Sequence, residues 1–249
     1  MKNLILLAMP LLMTFAPSAQ AGEVQLAVAA NFAVPMQKIA AAFELSTGHK
    51  VLLSSGATGK FYAQISQGAP FEVLLAADDE TPRRLVRDGL AIAASQFTYA
   101  QGRLALWSPK QGVVDNTGAV LKTGGFNHLA IANPKVAPYG VAATEVMIAM
   151  GVYTSMLPKL VQGESIAQAY QFVSTGNAEL GFVALSQVYE HGRMRSGSGW
   201  VVPAQLHTPI KQDAVLLLRG RDNPAASALL GYLKTDAARA VMASYGYAP

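Results

Sequence analysis

The sequence predicts an α/β protein of two lobes, each a mainly parallel sheet flanked by helices. Three observations carry that prediction. Short apolar runs alternate with stretches of helical periodicity along most of the chain. Glycines or capping residues punctuate most of the junctions between them. The alternation comes as two successive sets, and the chain then closes with two further helical stretches. The 249 residues, 51% of them hydrophobic, are enough for two lobes of roughly 100 residues, each with its own core.

The first 21 residues stand apart. Lys2 supplies positive charge, Leu4–Phe15 is apolar around Pro10, and Ala19-Gln20-Ala21 has the small-residue pattern of a cleavage site. These are the parts of a secretory signal peptide, and the apolar run is shorter than the roughly 20 residues that span a bilayer. The mature chain is expected to start near Gly22 and to be exported, to the periplasm in a double-membraned cell.

Val24–Ala29 then reads as a strand. Pro35–Leu45 reads as a helix, with Met36, Ile39, Ala40 and Phe43 on one face and Gly48 after it. Strand Lys50–Ser55, helix Lys60–Ser66, strand Glu72–Ala76 and helix Thr81–Asp88 complete the first set; Pro82 and Gly89 mark the start and stop of the last helix. Arg103–Ser108 opens the second set. A Gly-rich loop follows to Gly125, then strand Leu129–Ala132, helices Gly140–Met150 and Ser165–Thr175, strand Leu180–Ala184 and helix Leu185–Glu190. Past Gly197-Ser198-Gly199 come strand-like runs Trp200–Val202 and Ala214–Leu218. Asn223-Pro224 caps a helix reaching about Lys234, and Asp236–Ser244 is the last helix. The chain is expected to cross between lobes near Ala100–Ala105 and Gln205–Lys211, so residues 22–102 with 208–249 form lobe 1 and residues 103–207 form lobe 2.

Composition excludes several classes. The chain has no cysteine, so neither disulfides nor a thiolate metal site is possible. Its four histidines, at 49, 128, 191 and 207, lack metal-ligand spacing. The formal charge is +4, but the basic residues are scattered; Arg83, Arg84 and Arg87 share a helix surface, and nucleic acid is not expected as a partner. Gly56-Ala57-Thr58-Gly59-Lys60 falls short of a phosphate loop, because Ser54 stands at its first glycine and Phe61 where magnesium needs a hydroxyl. Asp78-Asp79-Glu80 suits a helix start. Met147, Met150, Trp107 and Trp200 read as packing residues.

Four junctions share a chemistry: Ala29-Ala30-Asn31, Gly56-Ala57-Thr58-Gly59, Pro138-Tyr139-Gly140 and Gly163-Glu164-Ser165-Ile166. Each opens a helix, whose first N–H groups lack partners and whose dipole places about half a positive charge there. Such an end binds anions without an ionised side chain. Any one of them is also what ordinary capping would leave. Two fall in each lobe, which brings four donors to one cleft if the lobes face each other.

Several segments resemble the periplasmic molybdate-binding proteins: AVAANFAVPM, SSGATGKFYAQISQGAPFEVLLAADDETP, LAIANPKVAPYGVAATEVM, ELGFVALSQV and the ending GYLKTDAARAVMASYGY. The resemblance runs in order along essentially the whole mature chain. It implies a two-lobed periplasmic binding-protein fold that closes on molybdate or tungstate through neutral hydrogen bonds and hands the oxyanion to the membrane permease of an ABC importer. It implies a monomer with no cofactor and no metal cation held directly. Carried over, the ligands fall on Ala30 and Asn31, on Thr58, on Tyr139 and on the Ile166 amide. The chain departs from the family in carrying Asn31 and Thr58 where many members have serine. Some members have a tyrosine donor where Ala184 stands, and the Tyr139 hydroxyl is its candidate replacement. Lys60, one residue past the second junction, is expected to be solvated or to steer anions rather than touch them.

The alternative reading is an exported enzyme acting on a small anion in the same cleft. Asn31, Thr58, Tyr139 and Ile166 do not readily transfer protons near neutral pH, which weighs against it. An effector-binding lobe pair of a transcription regulator would need a DNA-reading helix, and none is evident.

Overall fold

The computed structural model describes residues 21–248. The predicted leader lies, apart from Ala21, outside the described residues. In the first half, β1 (Glu23–Ala29), α1 (Ala33–Thr47), β2 (Lys50–Gly56), α2 (Thr58–Ser66), β3 (Val73–Leu75), α3 (Glu80–Arg87), β4 (Phe97–Gly102) and β5 (Leu104–Ser108) follow in order. The middle holds α4 (Val120–Thr123), β6 (Leu129–Ala132), α5 (Pro138–Ala149), α6 (Tyr153–Met156), β7 (Leu160–Gly163), α7 (Ile166–Ser174) and β8 (Leu180–Ala184). The last part holds α8 (Leu185–Val188), the short pair β9 (Tyr189–Glu190) and β10 (Arg193–Met194), β11 (Ser198–Val201), β12 (Ile210–Leu216), α9 (Pro224–Tyr232) and α10 (Asp236–Ser244).

Two five-stranded sheets organise these elements into two lobes. The first has the order β2-β1-β3-β12-β4 and the second β11-β5-β8-β6-β7. In the first sheet β1 runs parallel to β2 and β3, while β12 runs antiparallel to β3 and β4. In the second, β6 is parallel to β7 and β8, and β5 is antiparallel to β8 and β11. The local βαβ units produce the parallel pairs. The strands flanking the two crossovers produce the antiparallel ones, so each sheet is evenly mixed.

Period-two alternation places side chains on both faces of the first sheet. Val24, Leu26 and Val28 of β1 face α1, α9 and α10, among Phe32, Met36, Phe43 and Leu229. Ala27 and Leu74 face α2 and α3, among Phe61, Ile65 and Leu85. The second lobe has one large core, built on β5, β6 and β8 with Tyr139, Val146, Met147 and Trp200, and it reaches Ala29, Ala30 and Ala77 of the first lobe. The apolar interior therefore continues from one lobe into the other at the ends of the strands.

Boundaries moved where tertiary pairing overrides local pattern. β12 starts at Ile210, before the expected Ala214, because Ile210–Ala214 pairs with β4, an edge strand that the sequence pattern does not reveal. The expected helix Leu185–Glu190 is one turn followed by a two-residue ladder to β10. β7 was also unforeseen; its LVQG sequence is too short to show a period. Trp107 and Trp200 are buried strand residues, and Met147 is core.

Candidate functional site

The site is built at the C-terminal ends of parallel strands in both sheets, where open α/β sheets place their ligands. β1 ends at Ala29 and turns through Ala30–Phe32 into α1. β2 ends at Gly56, and the extended residue Ala57 caps α2. In the other lobe Ala137 caps α5, and Ser165 caps α7 by accepting from the Gln168 amide at 3.3 Å. Thr58 and Ile166 thus stand first in their helices and Tyr139 second, positions whose N–H groups have no partner within the helix.

The structure brings these residues together. Ala30, Asn31, Thr58, Tyr139 and Ile166 all border one small cavity of about 10 Å³, with Gly56, Ala57, Ala77 and Pro138 among the rest of its wall. Asn31, Thr58, Tyr139 and Ile166 are each at most 4% exposed. None of the residues bordering it is a lysine, arginine, aspartate or glutamate. A larger groove of about 470 Å³ adjoins it and shares Ala77, Ala137 and Pro138. That groove has acids in its wall, Asp78, Asp79, Glu80 and Glu145, beside Arg84, Lys135 and Lys211. Burial raises the Asp78 carboxyl above its ordinary range. A dianion in the groove would face those acids, whereas the small cavity offers it helix ends.

Each side chain is committed before any ligand is considered. Thr58 Oγ1 accepts from the Ala77 amide at 3.0 Å, which leaves the hydroxyl proton available. The Gly59 amide, beside Thr58, donates across the cleft to the Val136 carbonyl at 2.9 Å and is not free for an anion. The Tyr139 hydroxyl lies 3.1 Å from Gln212 Nε2, from which it accepts, rather than standing alone in the cavity. Asn31 Nδ2 donates to Gln212 Oε1 at 3.0 Å and to the Tyr247 hydroxyl at 2.9 Å, while Asn31 Oδ1 has no partner. Ser186 and Tyr247 both donate to the Asn31 carbonyl, at 2.8 and 2.9 Å. Tyr99 donates toward the Ala76 carbonyl and Gln212 Oε1, each at 3.0 Å.

Burial pushes the phenols of Tyr99, Tyr139 and Tyr247 above the ordinary tyrosine value, so all three stay protonated at physiological pH. Lys60 is outside the cavity wall. It pairs with Glu164 of the opposite lobe at 2.7 Å on the solvent side, so it bridges the lobes. Lys38 and Glu190 make a similar bridge at 2.8 Å. With Gly59–Val136 and Ser186–Asn31, these contacts join the two lobes.

Sequence reasoning missed Gln212, Tyr247 and Ser186, the residues that hold Asn31, and Tyr99, which bonds Gln212 behind them. One signal was present: Gln212 and Asp213 are polar residues leading directly into the apolar run Ala214–Leu218. A polar pair buried in a central strand must find partners, and both residues are at most 5% exposed here.

Comparison with known proteins places these features in context. The family described as bacterial extracellular solute-binding protein matches residues 24–248. The molybdate-binding protein ModA of Azotobacter vinelandii is 61% identical over 230 residues, covering 92% of this chain and 91% of that protein. Its counterpart from Rhodobacter capsulatus is 54% identical over 240 residues, covering 96% and 94%. Among solved structures, a periplasmic molybdate-binding protein of Azotobacter vinelandii superposes with a TM-score of 0.88 at 38% identity, covering 91% of this chain and 99% of that one.

Proposed function

This chain belongs to the bacterial extracellular solute-binding proteins, and on that premise we propose that it captures molybdate between its lobes and delivers it to an ABC-type importer. The close relatives named for molybdate binding support this reading. The observation that carries it is the cavity wall: helix ends from both lobes, hydroxyl and amide side chains, and no ionised group.

A fully ionised oxyanion accepts hydrogen bonds and donates none. Bonds to such an acceptor are about twice as strong as neutral ones. In our reading the amides of Thr58, Tyr139 and Ile166, the Thr58 hydroxyl and the Asn31 side chain share the four oxygens, with Ala30 contributing backbone at the first junction. An uncharged wall also avoids a buried unpaired cation whenever the ion leaves. Tungstate, nearly the same size and charge, enters on the same terms. Phosphate near neutral pH retains a proton that the amide and hydroxyl donors leave unsatisfied, at a cost of about 1–3 kcal/mol. Sulfate is smaller, and rigid donors span it poorly.

Binding requires the lobes to part and close. We place the hinge at the two crossovers, between β4 and β5 and between β11 and β12, with residues 22–102 and 208–249 moving against 103–207. The closed face, bridged by Lys60–Glu164 and Lys38–Glu190, is the surface we assign to the importer. The site holds its ligand without turnover, in a periplasmic protein acting as a monomer.

A thermal-shift and calorimetry panel on the mature chain tests this. Sodium molybdate at a hundredfold excess over its dissociation constant is expected to stabilise the fold by about 2.7 kcal/mol, with tungstate alike and sulfate and phosphate far behind. Tight sulfate binding with weak molybdate binding would overturn the assignment.

A further inference from the structure

The Asn31 side chain borders the cavity, yet its arrangement is the wrong way round for an oxyanion. Its donor, Nδ2, is spent on Gln212 and Tyr247, and its acceptor, Oδ1, is buried without a partner. A second conflict lies one residue deeper. The Tyr99 hydroxyl has a single proton, but two acceptors lie at 3.0 Å from it, the Ala76 carbonyl and Gln212 Oε1. Meanwhile Gln212 Nε2 has two protons and one partner, Tyr139.

Turning the two amides together by 180° relieves both conflicts, and leaves Tyr247 to choose between the Asn31 carbonyl, which Ser186 also serves, and Asn31 Oδ1. A turned amide keeps its shape and exchanges donor for acceptor. Gln212 Nε2 then faces Asn31 Oδ1 and the Tyr99 hydroxyl, giving one proton to each. The Tyr99 proton goes to Ala76 alone. Tyr139 donates to Gln212 Oε1, and Tyr247 moves its one proton from the Asn31 carbonyl, which keeps Ser186, to Asn31 Oδ1. The only group left without a partner is Asn31 Nδ2, now turned toward the cavity. Turning Asn31 alone fails, because its Oδ1 would then meet Gln212 Oε1 at hydrogen-bond distance with no proton between them.

We infer that Gln212 is a specificity-determining positioning residue: by turning in concert with Asn31, it decides whether the cavity meets its ligand with a donor or with an acceptor. An unprotonated oxyanion selects the turned pair, which supplies the missing partner for Asn31 Nδ2. A protonated oxyanion is matched by the unturned pair, in which Asn31 Oδ1 accepts its proton. Gln212 touches no ligand; it acts through Asn31. It is fully buried on β12, at a register shift between Gln212 and Asp213 that displaces this strand relative to β4. Asp213, its neighbour, is anchored separately by Gln96 and Thr98, at 2.7 and 2.6 Å.

This inference rests on the oxyanion reading above, and the test separates the two. Calorimetry on the mature wild type, Gln212→Met and Gln212→Glu uses sodium molybdate and phosphate in mildly alkaline buffer, where both anions are doubly charged but phosphate keeps one proton. Because the charges match, any general repulsion by a glutamate cancels in the ratio of affinities. Gln212→Glu cannot donate to both Asn31 and Tyr99 and so holds Asn31 Oδ1 toward the cavity. The preference for molybdate over phosphate is expected to fall roughly 10- to 100-fold in Gln212→Glu and by less in Gln212→Met, which favours neither orientation. A ratio unchanged from wild type in both variants, even with weaker binding overall, would show Gln212 to be structural only and overturn the inference. If either variant does not fold, the wild type still decides: the side-chain amide resonances of both Asn31 and Gln212 shift on adding sodium molybdate, and a stationary Gln212 signal overturns the relay. A wild type that binds neither anion removes the oxyanion reading itself.

Discussion

The two lobes build their halves of the cleft by different means. In the first lobe, Asn31 and Thr58 present side chains, and Asn31 is held by Gln212 and Tyr247 with Tyr99 behind them. Those partners come from β12, from the C-terminal tail beyond α10 and from β4, so the first junction is embedded in a buried polar network. In the second lobe, Tyr139 and Ile166 are placed by helix geometry and packing. Ile166 belongs to the apolar core, and Tyr139 sends its hydroxyl across the cleft to Gln212. One half therefore depends on side-chain identity and the other on backbone position. A network can be re-aimed by a single polar change, whereas a helix end tolerates substitution that preserves the helix.

The largest expected effect is at Asn31. On the proposed reading Asn31→Ala removes a bond to the oxyanion, and it leaves Gln212 and Tyr247 short of partners. Molybdate affinity should fall by about 3 kcal/mol, on the order of a hundredfold. A calorimetric loss under threefold would erase the contrast between the lobes. Gly102→Ala comes next. A Cβ there would overlap both the Tyr139 hydroxyl and the Gln212 amide. We expect a loss of roughly 1–3 kcal/mol in stability by chemical denaturation, with weaker binding, since the strain falls where the network meets the crossover.

Alkaline titration examines the network as a unit. Burial raises Tyr99, Tyr139 and Tyr247 in the folded state, so the unfolded chain releases these protons first, near pH ~10. Their contribution is fully present below that pH and is lost as pH rises toward the folded-state values. Stability should decline above pH ~10, and Tyr247→Phe should flatten the decline. An unchanged slope would mean that the phenols do not report on the network.

Thr58→Val is smaller: the Ala77 amide loses its acceptor and the ligand one donor, for about 1–2 kcal/mol in affinity. The smallest is Ile166→Val, which keeps the α7 amide in place and should alter molybdate affinity by less than about twofold, with a stability cost of roughly 0.5–1.5 kcal/mol. A tenfold loss of affinity there would show that the second lobe also depends on side-chain shape.

How much was legible follows the same division. The alternation of strands and helices is written in short windows along the chain, and the four helix starts in those around Asn31, Thr58, Tyr139 and Ile166, where periodicity and caps act over a few residues. What stood outside those windows was missed. β4 is an edge strand whose partner, β12, lies more than a hundred positions away. The one-turn α8 reads as a longer helix until its neighbour β10 draws Tyr189 and Glu190 into a ladder.

The sequence by itself determined the α/β architecture, and its four helix openings marked where uncharged donors would collect, because each follows from neighbours in the chain. Only the tertiary structure decided which way the donors point. Asn31 meets Gln212 across 181 positions and Tyr247 across 216, Gly59 spends its amide on Val136, and Lys60 is drawn to Glu164 rather than to the cavity. The physical reason is that a buried polar group is satisfied by whatever the fold brings within about 3 Å, and that proximity exists only once both sheets and the tail beyond α10 are in place.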